Sequence, residues 1–166
     1  MAIVITPTPY FRRGILGKNS GGFTLAHWTN GYIGVALYSD AVSITDPTNV
    51  SCVLNSIGSA ANNLTGTEYT GATNGYDRAS LTNLSLDAAA AFPFSLDFLA
   101  DTVTWAALDV GTPASAVIFY FGYGNTPDNG GEAIALITGL TTASDGSPYS
   151  LRWGGGVSNG SVISLL

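Results

Sequence analysis

The residues able to do chemistry are few, and their spacing limits what they can do. His27 is the only histidine, so any histidine-based general base or metal centre has to use it. Its neighbours are Ala26 and Trp28 and no acid is closer in sequence than Asp40, so nothing nearby fixes its tautomer and it reads as a structural or surface residue. Gly156-Val157-Ser158-Asn159-Gly160 matches the G-x-S-x-G pattern of a nucleophile elbow. That turn must join a strand to a helix, with an acid and then a histidine after the serine. Only SVISLL follows Gly160, and none of it is ionisable, so the segment reads as a glycine-rich hairpin turn. Nothing in the sequence promotes a Ser-His-Asp or Cys-His arrangement of distant partners.

Asp128 and Glu132, with Asn125, offer oxygen ligands for a hard cation such as Ca²⁺, but their spacing is not that of an EF-hand and they read as solvated loop charges. The other carboxylates are scattered, so no glycosidase pair stands out. Cys52 is the single cysteine, which excludes an internal disulfide or a CxxC metal clip; it reads as a small, partly buried side chain. Tyr120, Tyr123, Trp105 and Trp153 are of the types that build aromatic sugar platforms, yet their alternating positions read as core. The sequons at Asn49, Asn63, Asn83 and Asn159 matter only in a protein secreted from a eukaryote, and all four are expected to be bare. No catalytic, cofactor-binding or metal-binding residue is assigned. The chain is expected not to be an enzyme and to need no cofactor.

The elements that would position these residues are strands. In Ala116 to Ile137, AVIFYFGYGNTPDNGGEAIALI, two apolar runs flank a loop rich in Gly, Asn, Asp and Pro. Val117, Phe119 and Phe121 share one face of the first run and Ala116, Ile118 and Tyr120 the other, so this strand is expected to be buried on both sides. The Gly122 to Gly131 loop is too long for a two-residue turn, and with Pro127 in it an exposed excursion is expected. Tyr32 to Tyr38, YIGVALY, alternates in the same way and predicts another central strand. Shorter strand-like segments are Thr67 to Thr70, Tyr76 to Leu84, Phe92 to Leu99 with Pro93 placing it near an edge, Val103 to Leu108 with Val103, Trp105 and Ala107 together, Tyr149 to Trp153, and Val162 to Leu166. Ala88 to Ala91 is too short to be a helix alone. Ser39 to Asn63 reads as a long excursion with one weak element near Val53 to Ile57.

Pro7 and Pro9 argue against a helix or a central strand in Met1 to Pro9, leaving an edge or an extended arm resting on a neighbour, whose removal would leave the core folded. A short helix is expected within Tyr10 to Leu25, weakened by Gly14, Gly17, Gly21 and Gly22. The expectation is one domain over residues 1–166: an all-β, antiparallel, jelly-roll-like sandwich, with residues 1–31 as arm and turn and 32–166 as core.

Composition narrows the class. Only 10% of residues are charged, against 46% hydrophobic and three tryptophans, so the chain is not of the disordered type. A net charge of −6, with Arg12, Arg13, Lys18, Arg78 and Arg152 as the only cations, argues against nucleic acid. No stretch approaches the length of a membrane-spanning helix, so no membrane partner is expected. MAIVITPTPY lacks the pattern of a secretory signal, so the mature chain is expected to start as written.

Four pieces in order resemble a family of small bacteriophage virion proteins, tail-fibre-like or minor structural. They are the strand Tyr32 to Tyr38, the turn Gly75-Tyr76-Asp77-Arg78, a strand ending near Trp105, and Phe121-Gly122 followed by a Gly-rich loop and the small-apolar strand in Gly130 to Leu140. The segment between Asp40 and Asn63 and the aromatics Tyr120, Phe121 and Tyr123 depart from the pattern. The resemblance implies a structural role on the virion surface with no catalytic or cofactor residues to carry over. A capsid decoration (cement) protein is the leading expectation, then a tail or tail-fibre module, then a carbohydrate-binding module. Neither heptads nor repeats are present to build a fibre shaft. The expected partners are the chain itself, as a homotrimer that buries a low-charge surface, and the major capsid protein or other virion proteins.

Overall fold

The computed structural model of the chain describes residues 4–16, 23–49, 51–57, 59–70, 74–89, 95–153 and 160–165. The first part holds β1 (Val4–Pro7), α1 (Pro9–Ile15), α2 (Leu25–Thr29), β2 (Ile33–Tyr38) and β3 (Val53–Leu54). Then come β4 (Ala79–Ser80), β5 (Ser85–Ala89), β6 (Ser95–Ala100), β7 (Val103–Trp105), β8 (Ser115–Tyr120), β9 (Gly131–Thr138), β10 (Tyr149–Leu151) and β11 (Gly160–Leu165). The main sheet runs β1-β9-β8-β2-β4, with β3 also pairing β9; smaller sheets are β10-β7 and β11-β6-β5. All pairings are antiparallel, and the fold is an all-β sandwich.

The centre of the main sheet is buried on both sides, which is why its sequences are apolar at nearly every position. Ile33, Val35, Leu37, Ala116 and Ile118 face a first core. Phe98, Val103, Trp105, Tyr149, Leu151, Val162 and Ile163 of the smaller sheets fill it from the opposite side, together with Phe11 and Trp28 of the two helices. Ala36, Tyr38, Val117, Phe119, Phe121, Ala133 and Leu136 face a second core. The lid on that side is the long excursion after β2, which contributes Val42, Cys52, Leu54 and Leu64. β8 therefore divides its side chains as its alternation predicts. β9 does so with a bulge: Ile118 lies opposite Ala135 but Phe119 opposite Ala133, so Ile134 is extra and joins Ala135 in the first core. Gly34 pairs with Phe119, and a β-carbon there would stand 2.6 Å from the ring, so the glycine makes room for the aromatic.

Of the two expectations for the N-terminal segment, an edge or an arm resting on a neighbour, the edge is the one found: β1 is an edge strand of the chain's own sheet, with Val4 opposite Thr138 and Pro7 opposite Ala135. Pro7 limits it to the edge, as its missing donor requires. Pro9 does not block a helix but starts one: it occupies the first turn of α1, where no amide donor is needed. Thr8 joins the two elements. Fully buried, it donates its amide to the Ile134 carbonyl (2.8 Å) and its hydroxyl to the Ala133 carbonyl (2.6 Å), while the same oxygen caps the Phe11 amide.

Three smaller expectations also change. β6 is the middle strand of its sheet, not an edge; Phe92, Pro93 and Phe94 lie outside the described residues. Ala107 is exposed in the turn after β7, so only Val103 and Trp105 share the core. Within Tyr76 to Leu84 only Ala79–Ser80 is strand, and Ala88 and Ala89 end β5.

Since Thr8 both caps α1 and makes a buried bond to β9, Thr8→Ala is expected to cost about 1–3 kcal/mol of stability in a urea melt. Removing Met1 to Pro9 should lower the melting temperature of the isolated protein further, because it strips an edge strand and the start of α1; an unchanged melt would contradict this placement.

Candidate functional site

The most polar buried feature is an ion pair beneath the second core. Arg78 and Glu68 have side chains 1% and 7% exposed and meet through two bonds, Nε to Oε1 at 2.7 Å and Nη2 to Oε2 at 2.6 Å. This fork geometry is the strongest form of a carboxylate–guanidinium pair. The remaining guanidinium hydrogens reach backbone carbonyls: Nη2 donates to Asn55 (2.7 Å) and Nη1 to Pro127 (3.0 Å). The guanidinium carbon also stands 5.3 Å from the centre of the Phe119 ring.

Tyr76 completes the cluster. Its hydroxyl donates to Glu68 Oε1 (2.7 Å) and accepts the Leu37 amide (3.1 Å). Burial, and then the Glu68 carboxylate, push the phenol far above its ordinary pKa. The local backbone is shaped for this arrangement. Gly75 has φ +69°, and a β-carbon on it would run into the Ala107 carbonyl; Trp105 Nε1 then donates to the Asp77 carbonyl at 2.6 Å. Glycine is required at that turn. One junction thus joins β2, the excursion at Asn55, the Glu68 segment that follows it, the Gly75–Arg78 turn and the Pro127 loop.

The chemistry open to this cluster is structural. Every Glu68 oxygen has a donor, and Arg78 is engaged on both sides of its fork. A cleft of about 200 Å³ lies beside it, lined by Tyr38, Ala61, Thr67 and Glu68 among others. That is below the roughly 300–1,000 Å³ of small-molecule sites.

The residues marked from sequence sit elsewhere. His27 closes a capping box at α2, its Nδ1 accepting the Thr24 amide (3.1 Å) while Thr24 Oγ1 accepts the His27 amide (3.4 Å). That bond fixes the tautomer the sequence left open, and the ring stacks on Tyr120 with centroids 4.4 Å apart. Partial burial lowers its pKa. Cys52 is buried, its thiol pKa raised by burial, with Asn63 Nδ2 donating to the sulfur at 3.5 Å; such a thiol is a poor nucleophile.

Asp128, Glu132 and Asn125 do not converge. Glu132 accepts from Ser51 Oγ (2.8 Å) and the Cys52 amide (3.2 Å), Asn125 donates to the Phe121 carbonyl (3.0 Å), and Asp128 lies beside Asp77. Among the described residues no group of three His, Cys, Asp or Glu could hold a metal ion.

The aromatic platform is not assembled either. Trp105 and Trp153 are buried, donating their indole N–H groups to the carbonyls of Asp77 and Asp101, and Tyr120 is half-buried; Tyr123 alone is exposed. Asn63, at φ +60°, uses its amide to knit the excursion: Oδ1 accepts from Thr45 Oγ1 (2.6 Å) and the Asp46 amide (2.7 Å), and Nδ2 donates to the Asp46 carbonyl (3.0 Å). Asn83 donates to the Asp101 carboxylate. Gly156, Val157, Ser158 and Asn159 lie outside the described residues, and Gly160 opens β11.

Sequence reasoning missed Glu68 altogether, and marked Asn63 only as a sequon without its role in knitting the excursion. A signal existed for Arg78: it is one of only five cations and closes the Gly75-Tyr76-Asp77-Arg78 turn. No family model, curated protein or solved structure matches this chain.

The raised phenol makes Tyr76 a source of alkaline sensitivity. Its folded pKa lies above the ordinary value of 10.0, so its contribution is present below pH 10 and lost as the pH rises beyond it, when the unfolded chain releases the proton first. Tyr76→Phe should therefore destabilise the protein by about 1–3 kcal/mol at neutral pH, by leaving Glu68 and the Leu37 amide short of a partner. The same variant should show a shallower loss of stability above pH 10 in chemical melts, and an equally steep loss would contradict this role.

Proposed function

We propose that this chain is a bacteriophage virion structural protein without enzymatic activity, docking on the assembled particle as a capsid decoration (cement) protein and associating as a homotrimer. One observation carries the reading. The pieces on which the resemblance rests meet in the Arg78 junction: Leu37 of YIGVALY binds the Tyr76 hydroxyl, Trp105 binds the Asp77 carbonyl, and Arg78 binds the loop that follows Phe121-Gly122. Residues spread over most of the chain thus act as one scaffold signature, which supports reading the likeness as one of architecture.

The build suits a clamp. The long excursion and the β8–β9 loop are pinned to the sheet by buried charge-assisted bonds, so surfaces presented by them are held rigid. Val4, Leu16, Leu25 and Tyr123 leave apolar contact points on the outside. A protein that binds the assembled shell and not its loose parts stabilises the shell by mass action.

The test compares complete particles with particles stripped of this protein. Complete particles should melt and release DNA at a higher temperature, and re-adding the purified protein should restore the difference. Equal melting would overturn the cement assignment and favour the tail module.

A further inference from the structure

Two exposed pairs of like charge stand out on this molecule, Arg12 with Arg13 and Asp77 with Asp128. Arg12 and Arg13 are exposed in the last turn of α1, followed by Leu16, which is 72% exposed. Neither is in an ion pair among the described residues, where the one pair is Arg78 with Glu68. A cation at a helix C-terminus is favourable by itself, but the helix dipole gives no reason for an exposed leucine beside it.

α1 follows β1, at one edge of the main sheet; Asp77 precedes β4, at the other. Asp77 and Asp128 are both exposed there, brought together because Arg78 grips the Pro127 carbonyl. Asp128 is held above its ordinary pKa, by desolvation first and by the charge of and hydrogen bond to Asp77 next. Two carboxylates so placed are relieved by a shared proton or by a cation; the Arg78 charge offsets part of the repulsion, and a further cation would offset more. Within the chain, Arg78 is committed to Glu68 and α1 lies at the opposite edge.

We propose that α1 of one copy docks on the β4 edge of a second copy, with Arg12 and Arg13 meeting Asp77 and Asp128 and Leu16 covered at the contact. The two surfaces differ, so the contact runs head to tail and closes into a ring when its rotation permits. With a net charge of −6, two copies otherwise repel, and the basic helix is where an acidic copy is attracted. This deepens the oligomer reading above and rests on the self-association in it.

The test uses the purified full chain in light scattering from micromolar to millimolar concentration, at low and high salt. Self-association should weaken with salt, since exposed charges are screened over about 10 Å at 0.1 M. R12E/R13E should weaken it by about tenfold or more, and D128K likewise, while each variant keeps a cooperative thermal melt shifted only slightly, down for R12E/R13E through the helix dipole and up for D128K through lost repulsion. Combining the two changes should restore part of the association, because the lysine then faces the new glutamates while Asp77 remains. Asp77 is left in place because its Oδ1 accepts the Arg78 amide at 2.9 Å. An oligomer indifferent to R12E/R13E would overturn this contact while leaving self-association standing; a strict monomer throughout would overturn both. Neither result bears on particle melting.

Discussion

A guanidinium and a carboxylate removed from water set the terms for the rest of this structure. Burying either alone would be prohibitive, so Arg78 and Glu68 must be brought together with further donors and acceptors in place, and the chain has to supply them. It does so from the Asn55 and Pro127 carbonyls and the Tyr76 hydroxyl. The consequence is geometric. Segments distant in sequence can leave the junction only by stranding a charge, and the penalty for that is several kcal/mol.

The junction explains how a weakly patterned excursion comes to be part of the core. Two residues of β-strand, a few isolated bridges and the amide of Asn63 would make a weak lid on their own. Anchored through Asn55 and Glu68, that lid excludes water from Tyr38, Val117 and Phe119, whose face of the sheet would otherwise be wet. The hydrophobic effect then stabilises the closed lid through its buried apolar side chains, with the ion pair bonded across its base.

The parts of the fold that could be read from sequence are those where periodicity and burial agree. β2 and β8 alternate between two apolar faces, and both faces are buried as the pattern implies. The N-terminus was legible only in part because two prolines two residues apart carry opposite meanings: Pro7 limits a strand to an edge, as expected, whereas Pro9 opens a helix behind the Thr8 cap. The bulge at Ile134 has no local signature at all, since only the partner strand defines it. The polar junction was hidden for a related reason. Arg78 and Glu68 lie ten residues apart in non-helical chain, so no spacing rule pairs them, and nothing local marks Glu68 among eleven acids. The Gly-Tyr-Asp-Arg turn was visible as a motif, but its role follows only from what surrounds it.

Hydrogen exchange on Arg78→Met tests most directly whether this pair holds the excursion and the β8–β9 loop on the sheet. The reporter is the Ile57 amide, which bonds to the Asp128 carbonyl across the two segments, read against amides of β8 and β9. The variant should lose about 3–5 kcal/mol of global stability. Beyond that loss, Ile57 should exchange through a local opening that the central strands do not share. Protection at Ile57 that falls only in step with β8 and β9 would contradict the anchoring role.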